Sequence, residues 1–241
     1  MTIPFHRIPA TNRFAVAIAA ILIPLALLAF GVYGTFSFTF SIPLIWQFCF
    51  LGEGINSLGL KRRSFWPSAA TGILTGIVLA VSGGFILKAL GMTGYSLDKV
   101  HELNSFLRSF GIKITFMGEA GFKLLSAGNE LNWVLLSLIY CVLLVGLGEE
   151  IFWRGFIQRK ISRTLPVPAS IWVTAVLFAL VHSYLFFIIP FKEGLIFLGL
   201  ITLAGAFWGY LYEYFGNIWG PAFSHGIIAF IVWRYFVFST V

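Results

Sequence analysis

Two adjacent carboxylates and an arginine stand in the stretch GLGEEIFWRGF, residues 146–156, at the end of an otherwise apolar run. On a helix, positions four apart share a face, so Glu150 and Arg154 can pair and neutralise each other. Glu149 points about 100° away and has no partner within its own helix. A lone acid deep in a bilayer is costly and normally faces a partner or a wet cavity. Two of the four histidines also fall inside apolar stretches, His182 in VLFALVHSYLF and His225 in GPAFSHGIIAF. One histidine on an apolar face is usually a satisfied packing residue. Glu149, His182 and His225, each on a different apolar segment, point instead to one converging site.

A carboxylate and an imidazole facing a common water can activate it as general base and stabilise the result, the minimum kit for hydrolysing an amide. The same Glu and two His would also satisfy a three-ligand zinc site with water in the fourth place. Spacing does not choose between these. The local zinc-protease signature, two His four apart on one helix with Glu between, is absent. So are G-x-S-x-G, the dinucleotide glycine pattern, the phosphate loop and any CxxC pair. Ser224 adjoins His225, but neighbours on a helix diverge by about 100°, which rules against a direct Ser–His pair. The plainer reading of residues 146–156 is a helix that ends near Gly148 and leaves an interfacial charge cluster. Against it, the helical pattern continues through Ile151, Phe152, Trp153, Phe156 and Ile157, which sets the acids about two turns inside the membrane.

The elements that must hold these residues are set by composition. The 241 residues are 59% hydrophobic and 10% charged, with mean hydropathy +0.93, against roughly 25% charged in an ordinary soluble domain. An all-α, polytopic transmembrane helical bundle of a single domain, 1–241, follows. Spans of roughly 14–34, 36–55, 66–90, 131–157, 169–189, 193–214 and 217–238 are expected, about seven in all. The second carries Pro43, Gln47 and Glu53 and has the weakest helical pattern. Arg7 and Arg13 precede the first, which is too long for a cleaved signal and reads as an uncleaved span.

Lys and Arg mark alternate short loops: Arg7 and Arg13, then Lys61, Arg62 and Arg63, then Arg159, Lys160 and Arg163. By the positive-inside rule the N-terminus is cytoplasmic. The formal charge of +7 is spread between apolar runs rather than gathered on one surface, which argues against nucleic acid. Cys49 and Cys141 lie within apolar runs and act as small hydrophobes. Residues 91–130 form the one long polar insertion, where Leu97, Val100, Leu103, Leu107 and Phe110 recur at helical spacing, as in a helix lying at the membrane surface or a solvated connector. Small residues at 72, 76, 80 and 84, and Gly205 with Gly209, predict close helix contacts.

With these residues in place, the chain resembles the family of intramembrane proteases that includes the CAAX prenyl endopeptidases and the bacterial Abi or CPBP proteins. The family's Glu-Glu-x-x-x-Arg is matched by Glu149, Glu150 and Arg154, and its Phe-x-x-x-His by Phe178 and His182. The third motif begins with His225, but where the family commonly has Asn or Asp four residues later this chain has Ala229. The likeness covers roughly residues 130–238, a CPBP-like catalytic core. It implies that Glu149 and His182 activate the hydrolytic water, that His225 helps hold the developing oxyanion, and that Glu150 and Arg154 support the site. Loss of one oxyanion donor typically costs ~100 to 1,000-fold in rate. Asn217 and Ser224 are the candidates to replace it. Family members are described both as metalloproteases and as glutamate proteases. No cofactor is required by the leading reading, and a divalent metal such as zinc on Glu149, His182 and His225 is the alternative.

Depth gives a check. Counted from the cytoplasmic side, Glu149 and His225 lie about 8 residues in and His182 about 13, so His182 should sit roughly 8 Å deeper unless its span tilts or starts later. The expected function is an intramembrane endopeptidase cutting a membrane-associated protein or peptide, in contact with membrane lipid, with the bacterial inner membrane the expected location. The alternative is an inactive relative acting as a membrane interaction or self-immunity protein. A proton- or cation-relaying transporter is the third reading, without the inverted repeat that would support it.

Overall fold

The computed structural model describes residues 55–92, 129–187 and 189–237, together with Glu102, Ser105 and Ser109. The first expected span, nearly all of the second, and most of the 91–130 insertion lie outside the described residues. Among the described residues all regular structure is helical. Helix α1 runs Phe65–Ala89, α2 Leu131–Ile161, α3 Val167–Leu180, α4 Phe191–Phe215 and α5 Trp219–Val232, with α5 prolonged by a wider turn over Trp233–Val237. Three of these, α1, α2 and α4, are long and apolar enough to cross a membrane.

Helix α2 does not stop at Gly148; it continues to Ile161 through the whole charged motif. Its hydrogen bonding is not uniform. It widens to π-type turns over Cys141–Leu147 and again over Ile151–Gln158, with one α turn, Gly148–Glu150, between them. Such widened turns interrupt helices chiefly where side chains must be re-aimed.

Helix α3 departs from expectation. The span expected at 169–189 is not one helix: it begins earlier, after Pro166 and with Pro168 in its first turn, and ends at Leu180. Proline suits the first turn because its missing N–H has no intrahelical partner there. Beyond the break the chain tightens into a 3-10 segment, Ser183–Phe187. Leu185 and Ile189 enter a cluster with Leu87, Met92 and Phe197. Helix α4 follows Pro190 and is closed by Gly216, whose φ of 64° is the left-handed conformation that favours glycine at a helix end.

The bundle is assembled by close backbone approach. The expected stripe on α1 is present, with Gly72, Gly76, Ala80 and Gly84 all buried. A Cβ on Gly72 would strike the Gly220 carbonyl, and one on Gly76 would lie 2.9 Å from Ser224 Cα. In α4, Gly205 meets Ala175 and Phe178, and Gly209 meets Ile171. The opposite face of α1 is left exposed, with Ile73, Leu74, Ile77, Val78, Val81 and Phe85, as suits a lipid-facing surface.

At one end a polar latch joins the starts of α1 and α5. Ser68 Oγ donates to Asn217 Oδ1 at 2.8 Å, Asn217 Nδ2 donates to the Arg63 carbonyl at 3.0 Å, and the Gly220 N–H donates to Ser68 Oγ at 2.8 Å. Asn217 is fully buried in this turn. It is a structural residue, which removes it as the replacement oxyanion donor.

Candidate active site

The approach of α2 and α5 is set by glycines adjoining the candidate residues. A Cβ on Gly226, next to His225, would lie 2.5 Å from Val142 Cα, and one on Gly146, three residues before Glu149, would strike the Ala222 carbonyl and lie 2.8 Å from the Gly226 nitrogen. Only with hydrogen at both positions can the two backbones touch, and that contact brings the acids of α2 to the imidazole of α5.

The pair read from i,i+4 spacing is present. Arg154 Nη1 donates to Glu150 Oε1 at 2.8 Å, and both side chains are fully buried. Arg154 Nη2 also donates to the Gly205 carbonyl at 2.7 Å, tying α2 to α4. One turn on, Gln158 donates to Glu213 Oε1 at 2.9 Å and to the Gly209 carbonyl at 3.3 Å. Glu150, Arg154 and Gln158 thus form a polar seam against Gly205, Gly209 and Glu213. Glu150 Oε2 and Arg154 Nε have no hydrogen-bond partner among the described residues. Each such buried atom costs about 1–3 kcal/mol, so this pair holds geometry rather than adding stability.

Glu150 has a second task that spacing did not reveal. The same Oε1 accepts from His225 Nδ1 at 2.9 Å. Because a carboxylate only accepts, Nδ1 carries the hydrogen and Nε2 is turned the other way. There Nε2 lies 3.9 Å from Glu149 Oε2. Glu149 is 17% exposed against 0% for Glu150, so the two acids differ in access as well as direction.

His182 owes its orientation to the break in α3. In a continued α-helix the His182 N–H would take the Phe178 carbonyl; here it bonds to Ala179 O at 2.9 Å. The Phe178 carbonyl is left to the ring, and accepts from His182 Nδ1 at 2.8 Å. This acceptor also fixes the hydrogen on Nδ1. Glu149 and His225 are close enough to act electrostatically on His182.

Phe178 contacts both imidazoles. It is buried, with ring centroids 4.8 Å from His182 and 5.6 Å from His225, and Arg154 lies over its face at 5.2 Å. Sequence reasoning missed Trp208, which stacks on His225 at 4.1 Å and 16°. Only its place in a buried aromatic run of α4 hinted at it.

Ala229 faces a dry seam, clustered with Cys141, Val145 and Phe230. Ser224, the other candidate donor, accepts from Trp208 Nε1 at 3.1 Å. As for metal, both histidines have Nδ1 held by an acceptor, the usual outer support of a ligating imidazole. Yet no group of three or more His, Cys, Asp or Glu among the described residues is gathered to hold an ion, and no step is assigned to one.

The site is thus a small set of buried acids and imidazoles inside a helical bundle, three of whose helices are long and apolar enough to cross a membrane. Residues 131–231, the stretch that holds every site residue named above, match the family model described as type II CAAX prenyl endopeptidase Rce1-like, and this likeness together with the long apolar helices marks an integral membrane protein similar to proteases of that kind. Comparison with curated proteins gave no match, and comparison with solved structures gave none.

Proposed function

We propose that the protein is an intramembrane endopeptidase that hydrolyses a membrane-associated protein or peptide with a water activated by Glu149 and His182. The observation that carries this is the approach of Glu149 Oε2 to His225 Nε2 at 3.9 Å, with His182 joined to His225 through the Phe178 ring. Glu149 takes a proton from water as the oxygen attacks the scissile carbonyl carbon. His182, through Nε2, orients that water. With a proton on Nε2, His225 donates to the oxyanion, and collapse of the intermediate breaks the C–N bond as the proton passes to the leaving amine. Glu150 and Arg154 hold His225 and touch no substrate. Membrane lipid surrounds the bundle, nucleic acid has no part, and a bacterial inner membrane is the location this reading favours.

One observation favours a second reading. The place where the family has its Asn or Asp is here packed into an apolar cluster, as expected of a relative that has weakened or lost catalysis and serves as a membrane interaction or self-immunity protein. The two readings separate on purified protein in proteoliposomes with membrane-anchored peptides. The protease reading expects cleavage that disappears in Glu149→Gln and His182→Ala. Cleavage that persists in both variants would refute the assignment, and absence of cleavage in the unaltered protein on a broad peptide panel would favour the second reading.

A further inference from the structure

We propose that Trp208 is the positioning residue of His225: its indole forms the wall against which the imidazole is held, and Ser224 locks the indole in place. The inference rests on the reading of His225 as part of the reaction.

A single hydrogen bond fixes one atom of a ring but leaves the ring free to turn about that bond. The bond from His225 Nδ1 to Glu150 therefore sets the tautomer without setting the plane. The plane is set by two rings. Trp208 lies parallel to the imidazole, 4.1 Å away at 16°, while Phe178 meets it edge-on at 88°. The direction of Nε2 toward Glu149 is then defined in three dimensions.

The indole is itself constrained. Trp208 is 3% exposed, and its Nε1 donates to Ser224 Oγ at 3.1 Å. Ser224 is the residue before His225, is fully buried, and its Cα sits against Gly76 of α1. One side chain of α4 thus grips two successive residues of α5, by hydrogen bond at 224 and by stacking at 225. Its other neighbours are Phe178, at 5.9 Å between centroids, and Arg154, whose guanidinium lies 5.4 Å from the ring. The residues that hold Trp208 are those that hold Glu150 and His225, so the indole belongs to the support of the site.

The test uses the full-length protein in proteoliposomes, with Trp208→Leu, which removes both grips, Trp208→Phe, which keeps a flat ring and loses the N–H, and Ile201→Ala as a packing control. Ile201 borders the same cluster. A displaced reacting group can cost about 100-fold. We expect Trp208→Leu to lower kcat by about that factor with KM little changed, Trp208→Phe to recover most of it, and Ile201→Ala to lose thermal stability while keeping kcat. Independently of turnover, carbethoxylation of His225 by diethyl pyrocarbonate, followed by mass spectrometry, should run faster in Trp208→Leu than in the unaltered protein, with Trp208→Phe close to the latter. Unchanged kcat and unchanged carbethoxylation in Trp208→Leu would overturn the proposal. If the unaltered protein cleaves nothing, the protease reading has failed, and the carbethoxylation rates alone decide whether Trp208 shields and orients His225.

Discussion

The two faces of α2 are built to different ends, and adjacent glutamates show it. On one face Glu150, Arg154 and Gln158 are buried and closed to water, and Arg154 and Gln158 donate to the carbonyls of Gly205 and Gly209. On the other, Glu149 keeps some exposure and makes a looser approach to His225. One step of about 100° along a helix separates a carboxylate that fixes geometry from one that, in the proposed mechanism, exchanges a proton. The widened turns on both sides of Gly148–Glu150 permit this, because they adjust where each acid points without ending the helix.

The largest effect should come from unpairing the bonded face. Arg154→Met leaves the Glu150 charge buried without its partner and should destabilise the protein by about 3–5 kcal/mol, measured by denaturant unfolding in detergent. Adding Glu150→Gln should recover part of the loss, and no recovery would contradict the pairing as described. Next is the contact that brings the faces to α5. Gly226→Val drives a side chain into the Val142 backbone and should cost about 1–3 kcal/mol or more. Gly83→Ala is its control, since no atom lies within 4 Å of a Cβ there, and a comparable loss from both would discount the close approach.

Ala229→Asn sharpens the comparison further. The position is 5% exposed and lined by Cys141, Val145 and Phe230. An amide placed there without a partner should destabilise by about 1–3 kcal/mol and leave peptide cleavage no faster. A rise in cleavage toward the ~100-fold scale of an oxyanion donor would show that the side chain reaches the reacting carbonyl after all. The smallest effect is expected from metal removal: exhaustive dialysis against a chelator should leave cleavage unchanged, and loss restored by zinc would replace the water-activation scheme with a metal-centred one.

Much of this was legible because it is local. The Glu150–Arg154 pair follows from four-residue spacing, and the buried stripe at 72, 76, 80 and 84 from the helical period. The recurrence of Glu149, His182 and His225 in separate apolar runs pointed to the proposed site. What was hidden depends on contacts distant in sequence. Nothing near Glu150 announces that its carboxylate serves His225, 75 positions away. Nothing near Trp208 announces the stack. The end of α3 at Leu180 was hidden for a different reason, since apolar residues continue past it and hydropathy does not register a change from α to 3-10 turns. Asn217 looked like a spare donor because a buried amide can serve a turn or a substrate equally well until its partners are seen.

The division of labour between the neighbouring acids is best tested by comparing Glu149→Gln with Glu150→Gln in one preparation, reading both cleavage of a membrane-anchored peptide and the unfolding midpoint. Glu149→Gln should abolish cleavage and unfold like the unaltered protein, whereas Glu150→Gln should unfold more easily and slow cleavage through a loosened His225. Full cleavage by Glu149→Gln, or the two variants failing alike in stability, would contradict the account.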